Sequence, residues 1–132
     1  MTVTRSELRE KVMTILYQIS LYKTNKIEYD IDRVIEENVE ISNEFVKEIV
    51  YGVITYKDTL DKIANDNLNN WTIDRLDGVG QEILRMGIYE MKYTDTPDLV
   101  VINEAVELAK KFSDDSVRKM INAVLDKLIN QE

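Results

Sequence analysis

Neither cysteine nor histidine occurs in the 132-residue chain. The first absence excludes disulfides, thiolate metal sites and cysteine nucleophiles, and it is compatible with a reducing compartment. The second removes the commonest general base and the commonest metal ligand, which leaves only carboxylate, lysine or tyrosine chemistry for any catalyst. Proline occurs once and glycine four times, a composition that suits helices and argues against disorder or a strand-and-turn architecture. No stretch approaches the roughly 18 to 20 apolar residues of a membrane span. The segment from Met1 to Lys11 is charged and lacks the continuous apolar run of a signal peptide. The expectation is an all-α, cytoplasmic protein that is not an enzyme and needs no metal or cofactor.

What is present bounds the size of the fold. With 44% apolar and 32% charged residues, the chain supports one domain covering residues 1–132, since domains of this size bury roughly two-thirds of the surface that the unfolded chain exposes. The net charge of -8 is unevenly spread. Through Lys26, five basic residues (Arg5, Arg9, Lys11, Lys23, Lys26) face two acidic ones (Glu7, Glu10), a balance of +3 that leaves -11 for the rest. A small basic tip on an acidic body makes a local field, and local fields steer polyanions more than totals do.

Hydrophobic periodicity predicts six or seven helices. Leu8, Val12, Ile15, Leu16 and Ile19 lie on one stripe of a helix over residues 4–23, with Thr4 and Glu7 spaced as a capping box. Ile31, Val34 and Ile35 mark a second, weaker helix ending near Asn38. Beyond Ser42 a long periodic stretch runs from Phe45 to Ile63, with a break expected near Thr55, where β-branched residues weaken helix propensity. Turn chemistry at Asp77-Gly78 and Gly80 suggests a division into sub-bundles of roughly 1–76 and 79–132. Helices follow around Ile83 to Ile88, Val101 to Phe112 and Val117 to Leu128, the last two separated by a Ser113-Asp114-Asp115-Ser116 turn that offers N-cap side chains.

Three segments together resemble the NusB family: Arg9-Glu10 followed by Leu16-Tyr17-Gln18; Ile83-Leu84-Arg85-Met86-Gly87-Ile88-Tyr89-Glu90-Met91; and Val101-Ile102-Asn103-Glu104-Ala105-Val106-Glu107-Leu108-Ala109-Lys110-Lys111-Phe112 followed by Ile121-Asn122-Ala123-Val124-Leu125-Asp126. The resemblance covers essentially the whole chain. It implies about seven helices in two small packed bundles. It also implies a transcription antitermination factor that binds boxA-type RNA together with ribosomal protein NusE, joins the RNA polymerase elongation complex through other Nus factors, and acts in ribosomal RNA operons. The family's RNA-binding arginines map to Arg5 and Arg9, with Tyr17 on the same helix. Lys111, Ser116 and Lys119, around the turn, are further RNA candidates, and Gly80 and Met120 stand at the family's partner surface.

The spacing itself is compatible with that role. Arg5 and Arg9 at i and i+4 share a face, about 6 Å apart, and are expected to bracket successive phosphates. Tyr17 falls about 80° from Arg9 on the helical wheel, at the border of the apolar stripe, where a ring can stack on an unpaired base. Without the family context, two arginines on a helix read as solvated surface and Tyr17 as half-buried packing. Helix-end electrostatics equally account for Lys110 and Lys111 closing one helix and Asp114 and Asp115 opening the next. Asn103, Glu104 and Asn122 read as buried structural groups.

The chain departs from the family in its low arginine count, which motivates an alternative: a self-associating helical interaction module, a homodimer that has lost most RNA binding. An enzymatic alternative, the NusB-like domain of some ribosomal RNA cytosine methyltransferases, calls for an appended cofactor-binding domain, and the sequence given stops at Glu132.

Overall fold

A computed structural model describes residues 3–131 and contains seven α-helices, with no strand among the described residues. They are α1 (Arg5–Thr24), α2 (Ile31–Asn38), α3 (Glu44–Thr55), α4 (Lys57–Asn67), α5 (Gly78–Tyr93), α6 (Asp98–Phe112) and α7 (Asp115–Ile129), with a single 3-10 turn at Ile73–Arg75. Among the described residues, no helix is long and apolar enough to cross a membrane.

Short polar side chains set the helix starts. The Thr4 hydroxyl accepts from the Glu7 amide at 3.1 Å, Asn43 Oδ1 from Val46 at 3.1 Å, and Asp114 Oδ1 from Val117 at 2.9 Å. Each satisfies one amide that a helix terminus otherwise leaves without a partner. Asp77 does the same for Gly80 at 3.2 Å, so the glycines expected in a turn form the first turn of α5 instead. The break expected near Thr55 falls at Tyr56, between α3 and α4.

The chain divides into two compact units, one up to Gly52 and one from Val53 onward. This division falls within α3, directly after Gly52. In the first unit the predicted stripe of α1 (Leu8, Val12, Ile15, Leu16, Ile19) is buried, together with Val34 and Ile35 of α2 and Val46, Ile49 and Val50 of α3. The Tyr51 hydroxyl donates to Asp32 across α3 and α2.

In the second unit α5 is the central helix, packed against α4, α6 and α7. Every residue from Glu82 to Met91 is buried, as a helix enclosed on all sides requires. It packs tightly on α7 at Gly87, where an added Cβ would sit 3.1 Å from Leu125 Cδ1. Two buried charged groups of α5, Glu82 and Arg85, are paired within the unit. Arg85 Nε lies 2.7 Å from Asp61 Oδ1 and its Nη1 2.8 Å from Glu82 Oε2, while Lys57 Nζ reaches Asp61 Oδ2 at 3.1 Å.

Gly80 is buried where α5 begins, and a Cβ there would meet the Asp77 carboxylate and stand 2.7 Å from Val117 Cγ1. Gly80→Ala is therefore expected to cost about 1–3 kcal/mol, because the intruding methyl displaces either the cap or the α7 contact. Urea denaturation monitored by circular dichroism checks this, and an unchanged midpoint would contradict the packing described.

Candidate nucleic-acid interface

The first turns of α1 present the basic tip, and α3 supplies what holds it. The Arg5 guanidinium carbon lies 4.1 Å from the centroid of the Phe45 ring, and that of Arg9 lies 5.2 Å from it. One aromatic ring thus carries two cations, an attraction worth about 0.5–1 kcal/mol at exposed sites and more where water is excluded. The ring also limits the rotamers that a long arginine samples, which lowers the entropic cost of binding an anion.

The two arginines differ in access. Arg5 is exposed, as expected, whereas Arg9 is only 4% exposed. The expectation that both face solvent and bracket phosphates is corrected for Arg9: it directly follows buried Leu8 at the edge of the apolar stripe, and its chain is absorbed beside Phe45. In this arrangement Arg9 supports the ring and Arg5 meets solvent. Phe45 was missed as a site residue because its contribution comes from another helix. Its only sequence signal was its place at the start of the stripe of α3.

Tyr17 is half-buried on α1. That is the border position the helical wheel assigned, with the ring neither sealed in the interior nor free of it.

Around the turn between α6 and α7, the cations have local partners. Arg118 reaches Asp115 at 2.6 Å and Lys119 reaches the same carboxylate at 3.5 Å, while Lys110 lies 3.9 Å from Glu107. The bonds from Arg118 hold the Asp115 carboxyl below the ordinary range. The Asp114 carboxyl is lowered too, chiefly by the Val117 amide that it caps and then by the Ser116 hydroxyl, which donates to it at 3.0 Å. Lys111 is exposed, with its ammonium 5.2 Å from the Phe112 ring centroid. Ser116 therefore takes part in capping, and Lys110, Lys111 and Lys119 are exposed around this turn. Exposed pairs of this kind contribute little energy and exchange readily for another anion.

Met120 is half-buried and lines a cavity that Lys119 also lines. Gly80, the other residue expected at a partner surface, is buried beneath Asp77 and Val117, so that expectation is corrected to a packing role. The assignment of Asn103 and Asn122 to the interior is corrected as well: both are exposed, and Glu104 is half-buried. The buried stripe of α6 is Val101, Ile102, Ala105, Leu108 and Ala109 and that of α7 is Val117, Ile121, Val124 and Leu125, which turns both amides outward.

Comparison with known proteins adds to this geometry. The model of the NusB family matches residues 6–130. The chain is 38% identical over 131 residues to "Transcription antitermination protein NusB" of Pediococcus pentosaceus, covering 97% of this chain and 98% of that one. Among solved structures it is similar to T. maritima NusB, with a TM-score of 0.85, 26% identity and coverage of 100% of this chain and 94% of that one. It is also similar to a structure of the antitermination factors NusB and NusE in complex with dsRNA, with a TM-score of 0.80, 26% identity and 97% coverage of both chains.

Proposed function

The chain belongs to the NusB family, and on that premise we propose that it is a transcription antitermination factor that binds boxA-type single-stranded RNA together with ribosomal protein NusE. The observation that carries the RNA part is the exposed Arg5 guanidinium held 4.1 Å over Phe45, with Arg9 beneath. A preoriented cation in the first turn and a half-buried tyrosine about three turns further along supply a phosphate contact and a stacking surface on one helix. Arg5 and Tyr17 are the primary contacts in this reading. Lys111, Ser116 and Lys119 are secondary RNA contacts, and Met120 is a partner contact. The mechanism is tethering: a weak RNA contact and a protein partner together hold an RNA that neither holds well alone. In the cell this complex joins the elongating polymerase through other Nus factors and promotes read-through of ribosomal RNA operons.

Fluorescence anisotropy with a labelled boxA single strand and the matching duplex, with and without NusE across a salt series, tests this. The mixture is expected to bind the single strand more tightly than either protein alone. Arg5→Ala should reduce the salt slope by about one unit, since one phosphate contact and its released counterion are lost. Tyr17→Ala should weaken binding by about 1–3 kcal/mol and leave the slope nearly unchanged. If NusE brings no gain, the tethering reading fails. A stable homodimer by light scattering, indifferent to added RNA, identifies the self-associating module instead.

A further inference from the structure

We propose that the cavity between the end of α1 and the start of α2 docks a segment of a partner protein that carries an arginine next to an apolar side chain. This goes beyond the RNA reading and is independent of it, because Tyr22, at the cavity, lies about 25 Å along α1 from Arg5.

The cavity lies within the first unit and has a volume of about 490 Å³, within the range of roughly 300–1,000 Å³ typical of ligand-binding clefts. A chain reversal shapes it. Lys26 takes the left-handed conformation, at φ 57°, and the Ile27 amide donates to the Tyr22 carbonyl at 2.9 Å, which folds the connection back onto the end of α1. The Tyr22 and Tyr29 rings then meet nearly parallel, with centroids 6.1 Å apart and planes 22° from each other. Both are half-buried, and together with exposed Ile27 and buried Val34 they line the apolar part of the cavity.

The polar part is negative. Glu28, Asp30 and Glu37 line it, all exposed, against one cation, Arg33. The Arg33 side chain is 79% exposed and its Nε lies 3.9 Å from Glu37 Oε1, a long contact of little energy. Lys23, in the last turn of α1, and Lys26 stand close in sequence but do not line the cavity. The acidity extends further along α2: from Glu28 to Glu40 six carboxylates stand against one arginine, a balance of -5 on a chain of net charge -8. The Tyr51 phenol, which donates to Asp32, is pushed up to about 12, chiefly by that bond and further by burial and by the charges of Asp32 and Asp30. The field at this end of α2 thus opposes additional negative charge.

An aromatic wall under a carboxylate rim selects arginine among the cations. Its planar guanidinium stacks on a ring and carries N–H donors in a fork that matches a carboxylate, whereas the ammonium of lysine is a compact and strongly hydrated charge. An adjoining aliphatic side chain covers Ile27, which is otherwise 52% exposed. A phosphate backbone would be repelled by the rim, which sets RNA aside as the occupant.

The probe is a blocked peptide of sequence Leu-Arg-Leu-Arg, titrated into the full chain at low salt and followed by calorimetry and by amide correlation spectra, with Leu-Lys-Leu-Lys and spermidine as controls. Saturable binding is expected, with the largest amide shifts within residues 22–37 and an affinity about threefold or more lower for the lysine peptide. Glu28→Gln combined with Glu37→Gln should weaken the arginine peptide about tenfold, and Tyr29→Leu should weaken it about threefold. Arg33→Gln should tighten it, since the resident cation no longer competes for Glu37. Glu28, Arg33 and Glu37 are exposed, and circular dichroism verifies the fold of each variant. Absence of saturation at millimolar peptide, equal affinity for the two peptides, or no gain from Arg33→Gln overturns the proposal. Spermidine that binds as tightly as the arginine peptide also overturns it, by reducing the site to unspecific charge. Displacement of the peptide by boxA RNA overturns it as well, by assigning the cavity to RNA. Binding at Arg5 is followed separately by anisotropy, so failure here is distinguishable from failure of the RNA reading.

Discussion

Arg85→Ala is expected to lower stability by about 3–5 kcal/mol at neutral pH, the typical result of removing one partner from a buried ion pair. The Arg85 side chain is 6% exposed and binds two carboxylates, Asp61 and Glu82. Burial works against its charge, yet the bonds to Asp61 and Glu82 outweigh that and keep its pKa above the ordinary value. Its removal leaves two carboxylates with one cation, Lys57, which contacts Asp61. Burial already pushes the Glu82 carboxyl above the ordinary range against the pull of Arg85.

The sign of the pH dependence follows. A folded-state pKa above the unfolded value contributes stability that is present below the unfolded pKa and lost as pH rises through the folded one. Without Arg85 the Glu82 pKa rises further, so the cost of the substitution should shrink as pH falls through the acid range and Glu82 takes up a proton. Urea melts at neutral and mildly acidic pH test this, and a cost that grows on acidification would contradict it. A double variant, Arg85→Met with Glu82→Leu, should recover much of the loss, because a well-packed apolar replacement of a buried pair is often neutral.

The second large effect is on binding. Phe45→Ala is expected to weaken boxA RNA about tenfold in the anisotropy assay, although Phe45 need not touch the RNA, because the loss frees Arg5 to sample rotamers that the ring now excludes. Phe45→Tyr preserves a π face and should retain most of the affinity. Phe45→Ala should also cost stability, below the roughly 3–5 kcal/mol of a fully buried phenylalanine, since the ring is only half-buried. Circular dichroism separates the two effects. Equal RNA affinity in a folded Phe45→Ala protein would remove Phe45 from the site.

Much of the helical framework was legible because periodicity records which face of a helix is covered. The stripe of α1, the break beside Thr55 and the pairing of Thr4 with Glu7 all depend on residues within one or two turns of each other. What could not be read depends on residues distant in sequence. Arg9 sits on the arginine face of the wheel, but Phe45 of another helix determines whether that face is open. Gly80 looks like a flexible turn until Val117 is packed against it. Asn103 and Asn122 read as buried structural groups, while the helical phase turns them to solvent. The all-round burial of α5 was equally hidden, since Glu82, Arg85 and Glu90 interrupt its apolar pattern.

Asp77 Oδ1 accepts from the Gly80 amide at 3.2 Å and from the Ser113 hydroxyl at 2.9 Å. One oxygen therefore both starts α5 and moors the turn between α6, which carries Lys111, and α7, which carries Lys119. A ligand that draws this turn outward removes an acceptor from the opening of the central helix, so capture at the periphery is registered as fraying at the heart of the unit. Faster amide exchange at residues 78–80 on binding is the trace such a linkage leaves.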